Sequence, residues 1–443
     1  MNNQLLRDLD ELVSRSIITS ESAAEISRYY DAKKSSQSGK LTLILAVMGG
    51  ILLGSGVILV LAHNWEFIGR GVKTLIAILP LLTGQVLCLI ALMKHRENRS
   101  WMEVSAILLF FGIAATISLI AQIYQISGEL GDFLLTWMVL ALPIVYITGS
   151  SAVSLFIIAL ATWFVFEKQE YATFGSEMGN RLPYAYFLIL LCLIPKYLTL
   201  LRNVGSSKNS FYLHNWFFVL STMLSLGAFI PSGYNQAVLV SSAYISLAGI
   251  FYLVGKRELF HETRLFLNPF RLVSLPVMVG ILCFWTFAEF WTEAAGRPGI
   301  GQLLRVSFTY LCLLIVLIYL VVLFKNISKT LKTGIDLVTL IPLIFLACVL
   351  LLRQAPFMGI FIFNILILVT GVIYIYRGTS RDHLGYLNLG LIILATLALI
   401  RFFDTNIPFM WRGLMFIVSG AGFFILNSMM IRRRKKIIEK SAL

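Results

Sequence analysis

The sequence has few charged residues for its length. Only 13% of the 443 residues are charged and 58% are hydrophobic, whereas soluble domains contain about 25% charged and about 45–50% apolar residues. A water-soluble fold has no way to bury this much apolar surface, so the composition excludes that class. It indicates a chain that lies mainly in a lipid bilayer.

Catalytic and metal-binding patterns are also absent from the sequence. The five cysteines lie in apolar segments, without zinc-site or disulfide spacing. His261-Glu262 begins like the zinc motif H-E-x-x-H, but Leu265 stands where the second histidine belongs. Neither a P-loop nor a G-x-S-x-G nucleophile motif occurs. We therefore predict no catalytic residue, no metal and no cofactor, and we favour a protein other than an enzyme while an enzyme stays open as an alternative.

What the sequence does contain is a series of apolar segments long enough to span a bilayer as helices, about fourteen in number. The expected fold is an all-α polytopic transmembrane helical bundle. The predicted fourth and fifth spans are short and are joined by residues 149–151 alone, so full crossing and a re-entrant hairpin over residues 133–166 both stay open. The predicted spans are residues 41–62, 74–93, 102–124, 133–148, 152–166, 183–201, 213–230, 237–254, 272–291, 303–324, 335–352, 357–376, 384–403 and 410–431.

Two short polar segments flank the predicted transmembrane domain, residues 41–431. Residues 1–40 have the apolar spacing of a helical hairpin, with Leu5, Leu9 and Leu12 on one face. Such a small unit has no substantial core of its own, so we expect it to dock on the membrane face or on another protein. Residues 432–443 form a basic tail.

The basic residues predict the orientation of the chain. If the N-terminus is cytoplasmic, 27 of the 36 Lys and Arg residues lie at the cytoplasmic ends of spans or in cytoplasmic segments, as the positive-inside rule requires. Both termini are then cytoplasmic. The net charge of +14 is spread over short loops, so membrane lipids are the expected partner and nucleic acid is not.

Polar and aromatic residues gather at the predicted outer ends of the first, third, fourth, thirteenth and fourteenth spans. Amides at helix ends inside a bundle need hydrogen-bonding partners, whereas aromatic residues there also serve as interface anchors. Arg412 is a candidate partner for Asp132. The predicted binding residues of this outer-face cluster are Asn64, Trp65, Glu66, Arg70, Gln122, Tyr124, Gln125, Glu129, Asp132, Trp137, Arg401, Asp404 and Arg412.

Several of these residues also carry a family resemblance. The N-terminal hairpin, a glycine-rich first span ending in His63-Asn64-Trp65, and the run from Ala121 to Gly128 followed by Trp137 resemble the predicted prokaryotic membrane proteins of domain of unknown function 2157. The resemblance covers about the first 170 residues, and the segment from Asn388 to Asn427 looks like the C-terminal part of longer members. It implies a bacterial cytoplasmic membrane and no particular activity.

The function can be narrowed only to hypotheses. The predicted spans hold few charges near their middle, unlike ion-coupled carriers, which normally place an acid near the bilayer midplane. The leading hypothesis is a protein that binds or moves an envelope-related amphipathic solute at its outer face. Two alternatives stay open, a membrane enzyme resembling lipid-linked sugar transferases and a sensor or assembly scaffold that acts through residues 1–40.

Overall fold

The computed structural model describes residues 65–172, 184–203, 208–230, 237–260, 267–295, 307–333, 336–352, 354–380 and 384–403, and also residues 13, 15, 19–25, 410, 413, 414, 417, 420 and 421. The first predicted span, most of the last span, most of the N-terminal hairpin and the basic tail lie outside these residues. The chain divides into two compact units, residues 1–79 with 119–125 and residues 80–118 with 126–443.

The described part of the chain is helical and contains no β-strand. Charged residues bound the apolar helices, as where Lys94 ends one helix and Arg99 begins the next. Short 3-10 turns lie at Trp65–Phe67 and Glu258–Phe260. The helices are α1 Arg70–Lys94, α2 Arg99–Ile123, α3 Leu130–Ile147, α4 Ser151–Ala172, α5 Ala185–Arg202, α6 Lys208–Ala228, α7 Ala237–Gly255, α8 Pro269–Phe284, α9 Ala288–Ala295, α10 Ser307–Thr333, α11 Leu337–Leu351, α12 Pro356–Ser380 and α13 Leu384–Phe403.

The lengths and compositions of these helices confirm a polytopic helical bundle. Nine of the described helices are long and apolar enough to cross a membrane, and α8 and α11 are shorter apolar helices. Every predicted span between residues 74 and 403 contains a helix. Helices α3 and α4, with 18 and 22 residues, are longer than the sequence predicted and both belong to the nine.

The predicted span 272–291 is not one continuous helix. Helix α8 ends at Phe284 and α9 begins at Ala288. At the break the Thr286 hydroxyl donates to the Cys283 carbonyl oxygen at 2.6 Å, and the Trp291 indole N–H donates to the Trp285 carbonyl oxygen at 2.8 Å. These side-chain bonds supply donors to carbonyl oxygens at the break, which is how a helix can break inside an apolar protein interior.

Glycine permits the close packing of α12 against α13. A Cβ atom added to Gly378 would lie 2.4 Å from the Leu387 backbone nitrogen, and one added to Gly390 would lie 2.7 Å from the Gly371 carbonyl oxygen. Any side chain at these positions would push the two backbones apart. Small residues serve the same purpose at many helix contacts in membranes, where no water-driven force brings apolar surfaces together.

Part of the interior is an aromatic cluster, and the helices also carry apolar side chains on their outside. Trp285, Trp291, Phe345 and Phe363 are fully buried and contact one another. Leucine side chains are exposed along α10, among them Leu313, Leu314 and Leu317. An exposed apolar face of this length is expected where lipid replaces water as the solvent.

Candidate functional site

The structure describes ten of the thirteen predicted outer-face residues, and it divides them between the two compact units. Outside the described residues lie Asn64, Asp404 and Arg412. The unit of residues 1–79 and 119–125 contains Trp65, Glu66, Arg70, Gln122, Tyr124 and Gln125. The other unit contains Glu129, Asp132, Trp137 and Arg401.

In the first of these units, two contacts surround the start of α1. The Lys73 ammonium lies 5.4 Å from the centre of the Trp65 ring, a cation–π distance. The hydroxyls of Thr74 and Tyr124 are 3.1 Å apart. Glu66, Arg70, Gln122 and Gln125 are exposed.

Gln125 has an unusual backbone. Its φ angle is +51°, in the left-handed region that few residues other than glycine and asparagine adopt. Its backbone N–H donates to the Gln122 carbonyl oxygen at 3.4 Å, just after α2 ends at Ile123. The backbone of this residue therefore turns the chain at the end of α2, and its side-chain amide is exposed.

Glu129 and Asp132 meet at Lys168. The Lys168 ammonium lies 2.8 Å from Glu129 Oε2 and 2.7 Å from Asp132 Oδ1. The Lys168 side chain is only 4% exposed, whereas the Glu129 and Asp132 side chains are 44% and 58% exposed. We call these three residues the acidic end group, because two accessible carboxylates surround one buried ammonium.

The local sequence explains this geometry. Glu129 is the N-cap of α3 and Asp132 lies in its first turn, where the helix dipole favours negative charge. Between them, a Cβ atom added to Gly131 would lie 2.4 Å from Lys168 Cε. Glycine therefore leaves the space in which the lysine chain crosses the start of α3. Its ammonium can then reach both carboxylates at once.

Sequence analysis did not single out Lys168. It suggested Arg412 as a partner for Asp132, and Arg412 lies outside the described residues. The signal for Lys168 was nevertheless present, because the predicted topology places the end of the fifth span beside the start of the fourth. A lysine at an apolar helix end close to two acids is a natural ion-pair partner.

Trp137 lies in the core. Its side chain is 8% exposed, its indole N–H donates to the Phe110 carbonyl oxygen at 2.9 Å, and the two rings are 4.7 Å apart. The packing of α3 against α2 thus uses this residue. The buried ring leaves little surface for a ligand.

Arg401 lies at the break between α8 and α9. Its guanidinium donates to the Thr286 hydroxyl and, at 3.4 Å, to the Thr286 carbonyl oxygen. It also lies 5.2 Å from the centre of the Phe287 ring. Arg401 therefore satisfies a carbonyl that the broken helix leaves without its usual partner, and this contact ties α13 to the break.

A second ionic group, which sequence analysis did not predict, surrounds Asp336. One Asp336 oxygen lies 3.1 Å from Lys256 Nζ, and the other lies 3.1 Å from Arg377 Nη2. Arg271 lies 5.7 Å from the centre of the Tyr252 ring, and the Tyr252 hydroxyl donates to Asp336 at 3.2 Å. We call Lys256, Arg271, Arg377 and Asp336 the basic end group.

Asp336 is positioned by its own helix. It is the N-cap of α11, and its carboxylate accepts from the Val338 backbone N–H at 3.4 Å. The side chain is 6% exposed, whereas Lys256 and Arg377 are 28% and 29% exposed. In the predicted topology α3 to α7 cross the membrane in succession, which places the basic end group at the opposite end of the helices from the acidic end group.

One serine and histidine pair has the distance of a catalytic dyad. Ser154 Oγ lies 2.6 Å from His214 Nε2, and His214 Nδ1 lies 2.7 Å from the Ser210 carbonyl oxygen. Both side chains are buried, so a substrate does not reach the hydroxyl. The pair is better explained as a hydrogen bond that joins α4 to α6.

No cluster of three or more His, Cys, Asp or Glu side chains suited to a metal ion occurs among the described residues. What the acidic end group can do is accept hydrogen bonds, because its accessible oxygens are carboxylate oxygens. Its charge, minus one overall, suits the hydroxyl or ammonium groups of a polar headgroup.

Comparison with known proteins gives a similarity to one family over part of the chain and no relative of known activity. The model of a family described as predicted membrane protein, DUF2157, matches residues 10–154. No curated protein matches the chain, and no solved structure does. The suggested likeness of residues 388–427 to longer members stays a prediction. Residues 10–154, about a third of the chain, are therefore similar to the predicted membrane proteins of the DUF2157 family, in agreement with the motifs that the sequence carries there.

Proposed function

We propose that this membrane protein binds or moves an envelope-related amphipathic solute at its outer face, with the polar part of the solute at the acidic end group. The observation that supports the proposal is the pair of accessible carboxylates held by a buried ammonium at the end of apolar helices.

A purely structural ion pair needs one acid for one base. In the acidic end group a second acid adds a negative charge that Lys168 does not neutralise. Both carboxylates keep about half of their surface accessible, and the lysine between them fixes their position. Fixed, accessible acceptors lose little conformational freedom when a ligand binds, so they favour recognition.

The surroundings suit the apolar part of such a solute. Ile126 and Leu130, on either side of Glu129 in the sequence, are exposed. A headgroup on the carboxylates would therefore leave its hydrocarbon part beside apolar side chains and lipid. Most small-molecule sites combine a few placed polar groups with apolar walls in this way.

The proposal can be tested by measuring what copurifies with the protein. The full-length chain is purified from its own membranes with native lipids, and bound species are quantified by mass spectrometry relative to the bulk membrane extract. Asp132→Asn keeps the size of the side chain and removes its charge. A charged hydrogen bond contributes about 1.5–3 kcal/mol, so a solute held by Asp132 should be depleted about tenfold in the variant.

Glu97→Gln is the matched control, because Glu97 is an exposed acid between α1 and α2. Its enrichment profile should equal that of the parent protein. If no amphipathic species is enriched on the parent, or if Asp132→Asn and Glu97→Gln give the same profile, the acidic end group does not bind such a solute.

A further inference from the structure

The basic end group carries more positive charge than its own acid neutralises. Salt bridges join Asp336 to Lys256 and to Arg377, and no described carboxylate forms one with Arg271. Each Asp336 oxygen already accepts two hydrogen bonds or ion pairs, from Lys256 and Tyr252 on one side and from Arg377 and the α11 backbone on the other. Among the described side chains of this group, three cations and one saturated acid leave an excess of two positive charges.

This excess is not dispersed into water. Lys256 and Arg377 have lost about seven-tenths of their side-chain exposure, and Arg271 is also partly buried. Like charges repel more strongly where the surroundings are less polar than water. A cluster of this kind is costly unless a further anion compensates it.

The cations of the basic end group also have more N–H donors than their described acceptors use. A lysine ammonium has three N–H donors and an arginine guanidinium has five. In the described structure Lys256 and Arg377 each donate to one Asp336 oxygen, and Arg271 donates to the Tyr386 hydroxyl at 3.4 Å. The remaining donors, on side chains that are still partly accessible, are available to an anion.

The kind of donor indicates the kind of anion. Guanidinium groups match the paired oxygens of phosphate. The group is at the helix ends that we predict to be cytoplasmic, where anionic lipids are concentrated. We propose that the basic end group binds a phosphate group, carried by an anionic lipid or by a soluble phosphate.

This proposal is independent of the proposed outer-face function, because the two concern opposite ends of the helices. It is tested on the purified full-length protein in a neutral detergent, by the midpoint of thermal unfolding. Phosphatidylglycerol is titrated against phosphatidylcholine, and sodium phosphate is titrated against sodium chloride at equal ionic strength. We expect phosphatidylglycerol or phosphate to raise the midpoint well beyond its matched reference.

Arg271→Gln removes one cation without breaking a described salt bridge, so the variant should fold. Because a charged hydrogen bond is lost, the concentration of ligand needed for half of the stabilisation should rise about tenfold. Arg257→Gln is the matched control, since Arg257 is exposed and lies next to Lys256 in the sequence. It should keep the response of the parent protein.

The outcomes separate the two sources of phosphate. A response to phosphatidylglycerol alone assigns the site to a lipid headgroup, and a response to inorganic phosphate assigns it to a soluble ligand. If neither stabilises the parent protein, or if Arg257→Gln and Arg271→Gln lose the response equally, the proposal is wrong. The titration of the parent protein tests for phosphate binding even if Arg271→Gln does not accumulate.

Discussion

The acidic and basic end groups have opposite arrangements of charge. In the acidic end group one buried ammonium, Lys168, contacts two accessible carboxylates. In the basic end group one buried carboxylate, Asp336, contacts two partly accessible cations. In each group the single buried residue, Lys168 or Asp336, holds the residues of opposite charge in place. Those residues are the more exposed ones.

These opposite charge arrangements explain how a chain with few charged residues has different surfaces at the two ends of its helices. A single buried charge at each end fixes several charges of the opposite sign, so that one end of the described bundle is locally acidic and the other locally basic. The positive-inside rule then predicts that the basic end is cytoplasmic. Four experiments test whether the two end groups differ in this way.

Labelling from one side of the membrane should give the largest effect. In a parent whose five cysteines are replaced by alanine, Asp132→Cys should react with a membrane-impermeant maleimide in intact cells. Arg257→Cys should react only after permeabilisation, because the basic end is expected to be cytoplasmic.

Both replaced side chains are exposed in the structure, so an unreactive cysteine would reflect its side of the membrane. If Arg257→Cys is labelled in intact cells and Asp132→Cys only after permeabilisation, the predicted orientation of the chain is wrong. Labelling of both positions in intact cells would show that the two groups lie on the same side of the membrane. The two groups would then not lie at opposite ends of the helices.

Removal of the buried acid should be the most destabilising of the single charge changes. Asp336→Asn keeps an N-cap side chain for α11 but leaves three partly buried cations without their acid. Breaking a buried ionic group from one side costs about 3–5 kcal/mol. The free energy of unfolding, measured in a zwitterionic detergent without added phosphate, should fall by about this amount.

Asp132→Asn is the informative counterpart, because Lys168 keeps Glu129 as a partner in that variant. Its effect should be clearly smaller. If Asp132→Asn and Asp336→Asn destabilise the protein equally, the buried Asp336 does not hold the basic end group together.

Lys168→Met should have an intermediate effect. Methionine retains an apolar chain across Gly131 but removes the ammonium, so Glu129 and Asp132 repel each other. Because both acids are about half exposed, water replaces much of the lost interaction, and we expect a loss of about 2 kcal/mol.

Lys94→Met removes a charge from an exposed lysine and should change the free energy of unfolding little. If Lys168→Met lowers the free energy of unfolding as much as Asp336→Asn does, the acidic end group tolerates unpaired charge no better than the basic end group. The expected difference between the two groups is then wrong.

The sequence predicted the helices well because hydrophobicity of about 20 residues is a local property. Residues 384–403 were predicted as a span and form α13. The break at Trp285 was not predicted, because the apolar run continues through it and the bonds that stabilise the break come from Arg401 and Trp291.

Side-chain partners were harder to predict than helices. Glu129 and Asp132 were identified as candidate residues from their position, but their partner Lys168 lies far along the chain and is brought near by the packing of α3 against α4. Trp137 has the composition and position of an interface anchor, and only the packing of α2 places it in the core. Asp336 lies at the start of the predicted span 335–352, and its partners Lys256 and Arg377 are distant in the sequence.

The smallest predicted effect concerns the glycine under Lys168. Alanine has a higher helix propensity than glycine, by about 1 kcal/mol, so Gly131→Ala in the first turn of α3 would by itself stabilise the protein slightly. In the parent, however, the new Cβ would lie 2.4 Å from Lys168 Cε, and the lysine chain must move away from one of its carboxylates. We expect a net loss of about 1 kcal/mol.

In a Lys168→Ala background the steric conflict is absent, so the same Gly131→Ala change should become stabilising. Gly280→Ala is the matched control, because the space around its added Cβ is open, and it should stabilise α8 in either background. A double-mutant cycle on the free energy of unfolding measures this change of sign. If Gly131→Ala has the same effect with and without Lys168, the lysine chain does not depend on the glycine, and the geometry proposed for the acidic end group is wrong.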